Sequence, residues 1–437
     1  MKSKTFFIIV FTVLIAGIVG CDLDQLNPNA PTDEEVLTSA DGIKALAIGM
    51  QAQYGEVVNE VVEASNLISR QYATMPASVL GMRELETGGN DVQGTNGTVN
   101  NLWNGEFRVV KSAEDLINNV DKVTLEAGTR SGILALAKLM KAMALGELIE
   151  AFVSIPINVT TSQIPAFSDR ATVLAAVIAL LEEARNGIAA TPPSADFNGN
   201  ILGIGFNLPN TINAMLARYA LIAGDYQKAL TAANAVDLNV TSRLFYNSST
   251  SRNPIYLLTV LITYYKPVES FRLNAEAGDG RVAFWAREGT LNERSFLGTP
   301  VDDFVQYRLD NSPYFVYLPG EVTLIKAEAY ARQNDLTNAL VELNKVRTKT
   351  TDAAGLGANL PAKTAGDLPT QQAVLDEIYI QRGYELFVTG LHWGDTRRFG
   401  KPGAETPAAT RSRTRNWLPY PDAERTSNPN TPADPAN

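Results

Sequence analysis

Two segments of the chain repeat each other, and this repetition limits the fold more than any other feature. Asn213 to Val236 reads NAMLARYALIAGDYQKALTAANAV, and Glu321 to Arg347 reads EVTLIKAEAYARQNDLTNALVELNKVR. Ala217, Ala220, Ala229 and Val236 in the first match Ala327, Tyr330, Ala339 and Val346 in the second, at the same offsets. Gly224-Asp225 and Asn334-Asp335 stand at the same place between the two halves. Apolar residues recur at helical spacing on either side of these turn pairs, so each segment is a helical hairpin. Small residues at the crossing let the paired helices approach closely.

This is the tetratricopeptide pattern. Such a unit cannot bury its apolar face alone and needs stacked neighbours. The alanine-rich stretches Ser131 to Phe152 and Ala171 to Ile188 are candidate partners. Further helices are expected over Val36 to Met50, Val57 to Tyr72, Leu102 to Val123 and Gln371 to Phe387. The fold class is therefore mainly α: a tetratricopeptide-like helical scaffold with hairpins near 131–188, 209–237 and 319–350.

Two regions break the pattern. Ser78 to Asn101 carries Gly88-Gly89-Asn90-Asp91 and Gly94-Thr95-Asn96-Gly97, which is loop chemistry. Residues 238–318 form a loop-rich insert in which Ile255 to Tyr265 (IYLLTVLITYY) reads as a strand. The insert is dense in aromatics, which makes it the candidate ligand-facing region, with short strands.

The amino terminus sets the compartment. Lys2 and Lys4 precede an almost wholly apolar run from Phe6 to Val19, and Gly20-Cys21 follows. The run is shorter than the ~20 residues a helix needs to cross a bilayer. It reads as the apolar part of a signal peptide over residues 1–20. Cys21 is the only cysteine and sits where a lipoprotein signal peptidase would cut and a lipid would attach. Residues 21–32 (CDLDQLNPNAPT) then form a polar tether, and 33–437 a single domain. Loss of Lys2 and Lys4 with the leader leaves 35 basic against 47 acidic side chains, a net charge of −12. That balance disfavours nucleic acid as a partner and leaves the lipid as the membrane anchor.

Several motifs together resemble the SusD/RagB family of outer-membrane nutrient-binding lipoproteins of Bacteroidetes. They are Cys21-Asp22-Leu23-Asp24, Leu26-Asn27-Pro28-Asn29, Leu324 to Tyr330 (LIKAEAY), Ile380 to Leu386 (IQRGYEL), Gly390 to Gly400 (GLHWGDTRRFG), Leu418-Pro419-Tyr420-Pro421, Glu424 and Asn428-Pro429-Asn430. Gln381 departs from the glutamate usual before the arginine, and the chain is short for the family. The resemblance implies a cell-surface lipoprotein that binds a nutrient, usually an oligosaccharide, and hands it to a SusC-like TonB-dependent transporter. Asp22 and Asp24 fit the family's surface-export signal. Peptide-binding members and a pure tetratricopeptide envelope scaffold are the alternatives.

The residues themselves favour binding over catalysis. With one histidine, His392, and one cysteine, Ser-His-Asp and Cys-His sets and His/Cys zinc sites have no members to draw on. No phosphate-binding glycine loop and no cofactor or metal motif stands out. Arg382, Glu385, Asp395, Arg397 and Arg398 can pair around a helix end above Trp393, a structural cluster. For ligand contact, Trp285 is the leading candidate because Gly280-Arg281 and Arg287-Glu288-Gly289 surround it with polar residues. Phe284 would then point inward. Tyr264 or Tyr265, Arg287, and Arg83 and Asn90 of the glycine-rich loop complete the expected site. Trp103 is expected in the core, on the apolar face it shares with Phe107 and Val110.

Overall fold

The computed structural model describes residues 33–159, 163–289 and 291–436. Cys21 and the tether lie outside the described residues. A short helix, Asp33–Leu37, leads into α1 (Ala40–Ile68), capped by Ser39 Oγ accepting from the Gly42 amide. The two helices expected over 36–50 and 57–72 are one element. Gly55 does not break it, because the Tyr246 ring packs over Gly55 and its hydroxyl donates to the Gly55 carbonyl at 2.8 Å.

The scaffold follows as α2 (Leu80–Thr87), α3 (Gly97–Asn119), α4 (Ala127–Ala151), α5 (Arg170–Ala190), α6 (Leu208–Ala223), α7 (Tyr226–Asn234), α8 (Pro319–Arg332), α9 (Leu336–Thr348), α10 (Gln371–Glu385) and α11 (His392–Arg398). Consecutive helices pack from α3 through α7; α8 then joins α7 and carries α9 and α10. The repeat marks do what their spacing requires. Ala217, Ala220, Ala229, Ala327 and Ala339 have no exposed surface. Gly224 and Asn334 hold the left-handed turn at φ 84° and 62°, and Asp225 and Asp335 cap the second helices by accepting from the Lys228 and Asn338 amides. A small separate core lies between α8, α9 and α10 around Leu324, Leu343, Val374 and Ile378.

The strands are short and come in antiparallel pairs: β1 (Tyr72–Thr74) with β5 (Tyr265–Pro267), β2 (Ser154–Pro156) with β3 (Phe167–Asp169), β4 (Arg243–Leu244) with β8 (Tyr314–Phe315), and β6 (Ala286–Arg287) with β7 (Asp303–Phe304). The strand expected at 255–265 is a correction: Pro254–Tyr256 is α-helical and Leu257–Leu261 continues as a π-turn. Asn253 decides this, since its side chain accepts from the Ile255 and Tyr256 amides and Pro254 fills the first helical position. The cap outweighs the β-branched composition, and Tyr265 begins a strand instead of ending one. Leu80–Thr87 is likewise a helix inside the stretch read as loop.

Trp103 is buried against Phe107, Phe152, Phe167 and Tyr420. Tyr420 belongs to the carboxy-terminal tail, which runs back over the helix ends. The Thr414 amide bonds the Ile68 carbonyl, and the Leu418 amide bonds that of Ala151. Among the described residues no helix is long and apolar enough to cross a membrane.

The helical core buries acids. Glu106 has no exposed surface; burial first, then Glu147, pushes its carboxyl well above the usual range. Glu147, raised mainly by burial, accepts from Tyr54 OH at 2.7 Å. Neither Glu106 oxygen has a hydrogen-bond partner among the described residues. A carboxyl raised in the folded state stabilises fully below its unfolded value, and that stability is lost as pH rises toward the folded value. Glu106→Gln should therefore match wild type near pH 4.5 and exceed it at pH 8 by about 1–3 kcal/mol, the cost of an ill-satisfied buried polar group. Urea unfolding at the two pH values measures this; equal differences at both would contradict it.

Candidate functional site

Two concavities differ in what they can hold. A crevice between Tyr54, Glu147 and Gly390 has about 40 Å³, room for little more than a water. A cleft of about 490 Å³ lies where the end of α1, the start of β1, the 297–299 turn, α10–α11 and the 408–414 tail converge. That is the size of a small-molecule site.

The α1 helix ends in a turn that aims Arg70 outward. The Arg70 amide bonds the Leu67 carbonyl and the Gln71 amide that of Asn66, placing Arg70 at φ 62°. Glycine or asparagine is usual there, and a side chain with a Cβ costs roughly 1–2 kcal/mol in that region. Arg70 Nη1 donates to the carbonyls of Ala408 and Arg411, both at 2.9 Å, tying the tail to α1. Arg411 Nη2 donates to the Thr87 carbonyl at 3.1 Å. Burial, then Arg70, lowers the Arg411 guanidinium from its ordinary value.

Glu86 enters from α2. The Thr74 amide donates to Glu86 Oε2 at 2.7 Å, as does Thr74 Oγ1. Burial raises this carboxyl, while the Thr74 donors and Arg70 oppose the shift. On the far side, Tyr379 stacks on His392 at 5.4 Å, with OH to Nε2 at 3.3 Å. Burial, opposed by Asp395 and reinforced by Arg382, pushes His392 down to about 4, so the ring is neutral at neutral pH. Ser69, Ser270, Thr299, Ser412 and Thr414 add hydroxyls.

Several buried polar atoms at this cleft have no hydrogen-bond partner among the described residues. They are Ser69 Oγ, Tyr72 OH, His392 Nδ1 and Arg411 Nε, all of lining residues. Each such group costs about 1–3 kcal/mol when left unmade. A polar guest, reached by small side-chain shifts, would recover that cost.

The expected site residues are not brought together. Trp285 is 1 % exposed, its Nε1 donating to the Tyr384 carbonyl at 3.0 Å. It is part of the core, which corrects its reading as a stacking platform. The polar neighbours misled: the short helix Gly280–Trp285 puts Arg281 and Trp285 on the same face, and Arg281 is itself fully buried. Phe284 is the one half-buried, in edge contact with Trp285 at 4.8 Å. Tyr265 is buried too, stacked on Tyr72 at 5.1 Å with its OH on Asn59 Oδ1 at 2.7 Å. Tyr264 is half-buried, and Arg287 is exposed, 3.8 Å from Asp303. Asn90 is exposed in the turn after α2. Arg83 lies on the rim, its guanidinium 4.5 Å from the centre of the Phe296 ring, which is 49 % exposed beside Leu297 of the cleft. The glycine-rich region thus reaches the cleft through Glu86, not through Arg83 or Asn90. Arg70, Glu86, Tyr379 and Arg411 were not singled out by sequence, and the helix expected through Tyr72 hid the turn at Arg70.

The charged cluster at α10–α11 is structural. Arg382 forks onto Asp395 at 2.7 and 3.1 Å, Arg398 bridges Asp395 and Glu328, and Glu328 also takes Arg332. Arg397 sits 4.5 Å over Trp393, which is buried. Glu385 turns the other way, to Arg281 and Lys349. Gln381 accepts from Arg281 Nη2 at 2.6 Å, so a glutamate is not needed where Asp279 and Glu385 already flank that cation. No group of three potential metal ligands occurs among the described residues.

Residues 301–427 match the SusD family. No curated protein matches the chain by sequence. Solved structures share its fold. A SusD superfamily protein of Bacteroides thetaiotaomicron superposes with a TM-score of 0.69 at 17 % identity, over 90 % of this chain and 99 % of that one. A SusD-like carbohydrate binding protein of Bacteroides fragilis gives 0.68 at 13 %, over 90 % and 99 %. Surface glycan-binding protein A of Bacteroides uniformis gives 0.67 at 14 %, over 90 % and 99 %. Residues 301–427 are thus similar in sequence to the SusD family, and over nine-tenths of its length the chain shares the fold of these SusD-superfamily structures.

Proposed function

We propose that the chain is a nutrient-binding protein that takes an oligosaccharide into the Arg70–Arg411 cleft and delivers it to a SusC-like TonB-dependent transporter. It would be held at the outer-membrane surface by a lipid on Cys21. The observation that carries this reading is the cleft itself: about 490 Å³ lined by hydroxyls, two guanidiniums and two tyrosines, with buried polar atoms still unpartnered. Such a mixture of donors and acceptors suits a polyhydroxyl ligand. Two of the neighbours are named for binding carbohydrate or glycan, which supports the ligand class. The reading is capture, and His392, the one histidine, gives its Nε2 to the Tyr379 hydroxyl at 3.3 Å. A lid tethered beside a pore raises the local ligand concentration there.

Thr299→Trp tests the site. Thr299 is half-buried on the cleft wall, so an indole there fills the space without disturbing the scaffold. Calorimetry against a glycan panel should show the wild-type ligand bound about tenfold or more weakly, with the melting temperature unchanged. Undiminished binding by this variant would move the ligand elsewhere on the protein.

A further inference from the structure

Two arginines line the cleft, and among the described residues neither forms an ion pair. Arg70 Nη1 reaches the Arg411 carbonyl at 2.9 Å, so the two residues are in direct contact. The hydrogen bonds of both side chains go to backbone carbonyls, those of Ala408, Arg411 and Thr87. Arg411 Nε is buried without a partner. Glu86 lines the same space and is favoured in its charged form by Arg70, but its Oε2 accepts from the Thr74 amide and hydroxyl and it forms no ion pair with either arginine. The buried arginines Arg218 and Arg382, by contrast, are matched to Glu321 and Asp395. Adjacent like charges repel, and Arg70 is also held at positive φ. Both features point to a partner that arrives from outside.

We infer that the ligand carries a negative charge: the anionic group of an acidic oligosaccharide, a uronate carboxylate or a sulfate ester, seats between Arg70 and Arg411. Guanidinium forks match the paired oxygens of a carboxylate or a sulfate better than an ammonium would. The hydroxyls of Ser69, Ser270, Thr299 and Ser412 are left for the neutral part of the sugar. This inference rests on the cleft being the nutrient site.

The test is calorimetry of the intact, detergent-solubilised chain against pairs of glycans. Each acidic oligosaccharide is set beside its carboxyl-reduced or desulfated counterpart, and oligoglutamate serves as an acidic peptide control. At least one acidic glycan should bind about tenfold or more tightly than its neutral twin, and less tightly at high salt. Whether the carboxylated or the sulfated pair shows the gap identifies the anion. Arg411→Gln should close the gap, while Arg411→Lys keeps part of it. Arg70→Gly should do the same; relief of the positive-φ turn offsets the loss of its two bonds to the tail, and the melting temperature of each variant is read beside its affinity to separate misfolding from loss of charge. A neutral glycan that binds in the cleft, is blocked by Thr299→Trp and ignores Arg411→Gln would overturn the charge assignment and leave the nutrient site standing. Tighter binding of oligoglutamate than of any glycan would overturn the sugar assignment. Binding of no glycan would defeat both readings.

Discussion

Trp285→Ala should destabilise the protein by ~3–5 kcal/mol, the range for deleting a large buried aromatic, and leave ligand affinity of the folded protein unchanged. The indole is 1 % exposed, donates to the Tyr384 carbonyl and packs edge-on against Phe284. Removing it opens a cavity beneath α10 and strands a carbonyl at the helix end. The loss is read as a lower urea midpoint, and affinity by calorimetry on the same sample. Trp285→Phe should recover most of the volume but not the hydrogen bond, so it should fall between the two. A variant that melts like wild type yet binds more weakly would restore the indole to the ligand site.

Arg281→Met should cost a comparable ~3–5 kcal/mol, because breaking a buried ion pair leaves the remaining charges uncompensated. Arg281 has no exposed surface and ties its own short helix to α10. Nε and Nη2 fork onto Asp279 at 2.9 and 2.7 Å, Nη2 also donates to Gln381 Oε1, and Nη1 reaches the Gln381 carbonyl and Glu385 at 3.3 and 3.4 Å. Methionine fills much of the same volume, so packing loss is small and the effect isolates the charge. Lys349 still covers Glu385, which leaves Asp279 as the exposed liability. Arg281→Lys keeps the charge but not the planar fork, and should recover only part of the loss. Urea unfolding of the three proteins gives the ranking; a methionine variant as stable as wild type would show that the cluster is dispensable.

Helical hairpins were legible because their determinants are local. Ala217, Ala229, Ala327 and Ala339 mark crossings that only small side chains permit, and Gly224-Asp225 and Asn334-Asp335 supply both the left-handed turn and the next cap within a few residues. A 3.6-residue period and a turn pair need no knowledge of the rest of the chain. The same local logic decided Ile255 to Tyr265 wrongly, since composition favoured a strand and the Asn253 cap, one residue outside the apolar run, favoured a helix. Burial of the middle aromatics was not local at all. Trp285 sits among polar residues in sequence, but its Arg281 neighbour is neutralised by Asp279 and by Glu385, about a hundred residues away, and so the polar stretch goes inside. The cleft is the extreme case. Arg70 ends α1, Glu86 belongs to α2, Tyr379 to α10 and Arg411 to the tail, and their meeting depends on the tail folding back to bond Ile68, Thr87 and Ala151. Sequence by itself fixed helix period, caps and small-residue crossings, because neighbours along the chain create them; tertiary structure alone decided which charges lost their counterions and which aromatics lost their solvent, because those depend on groups hundreds of residues apart.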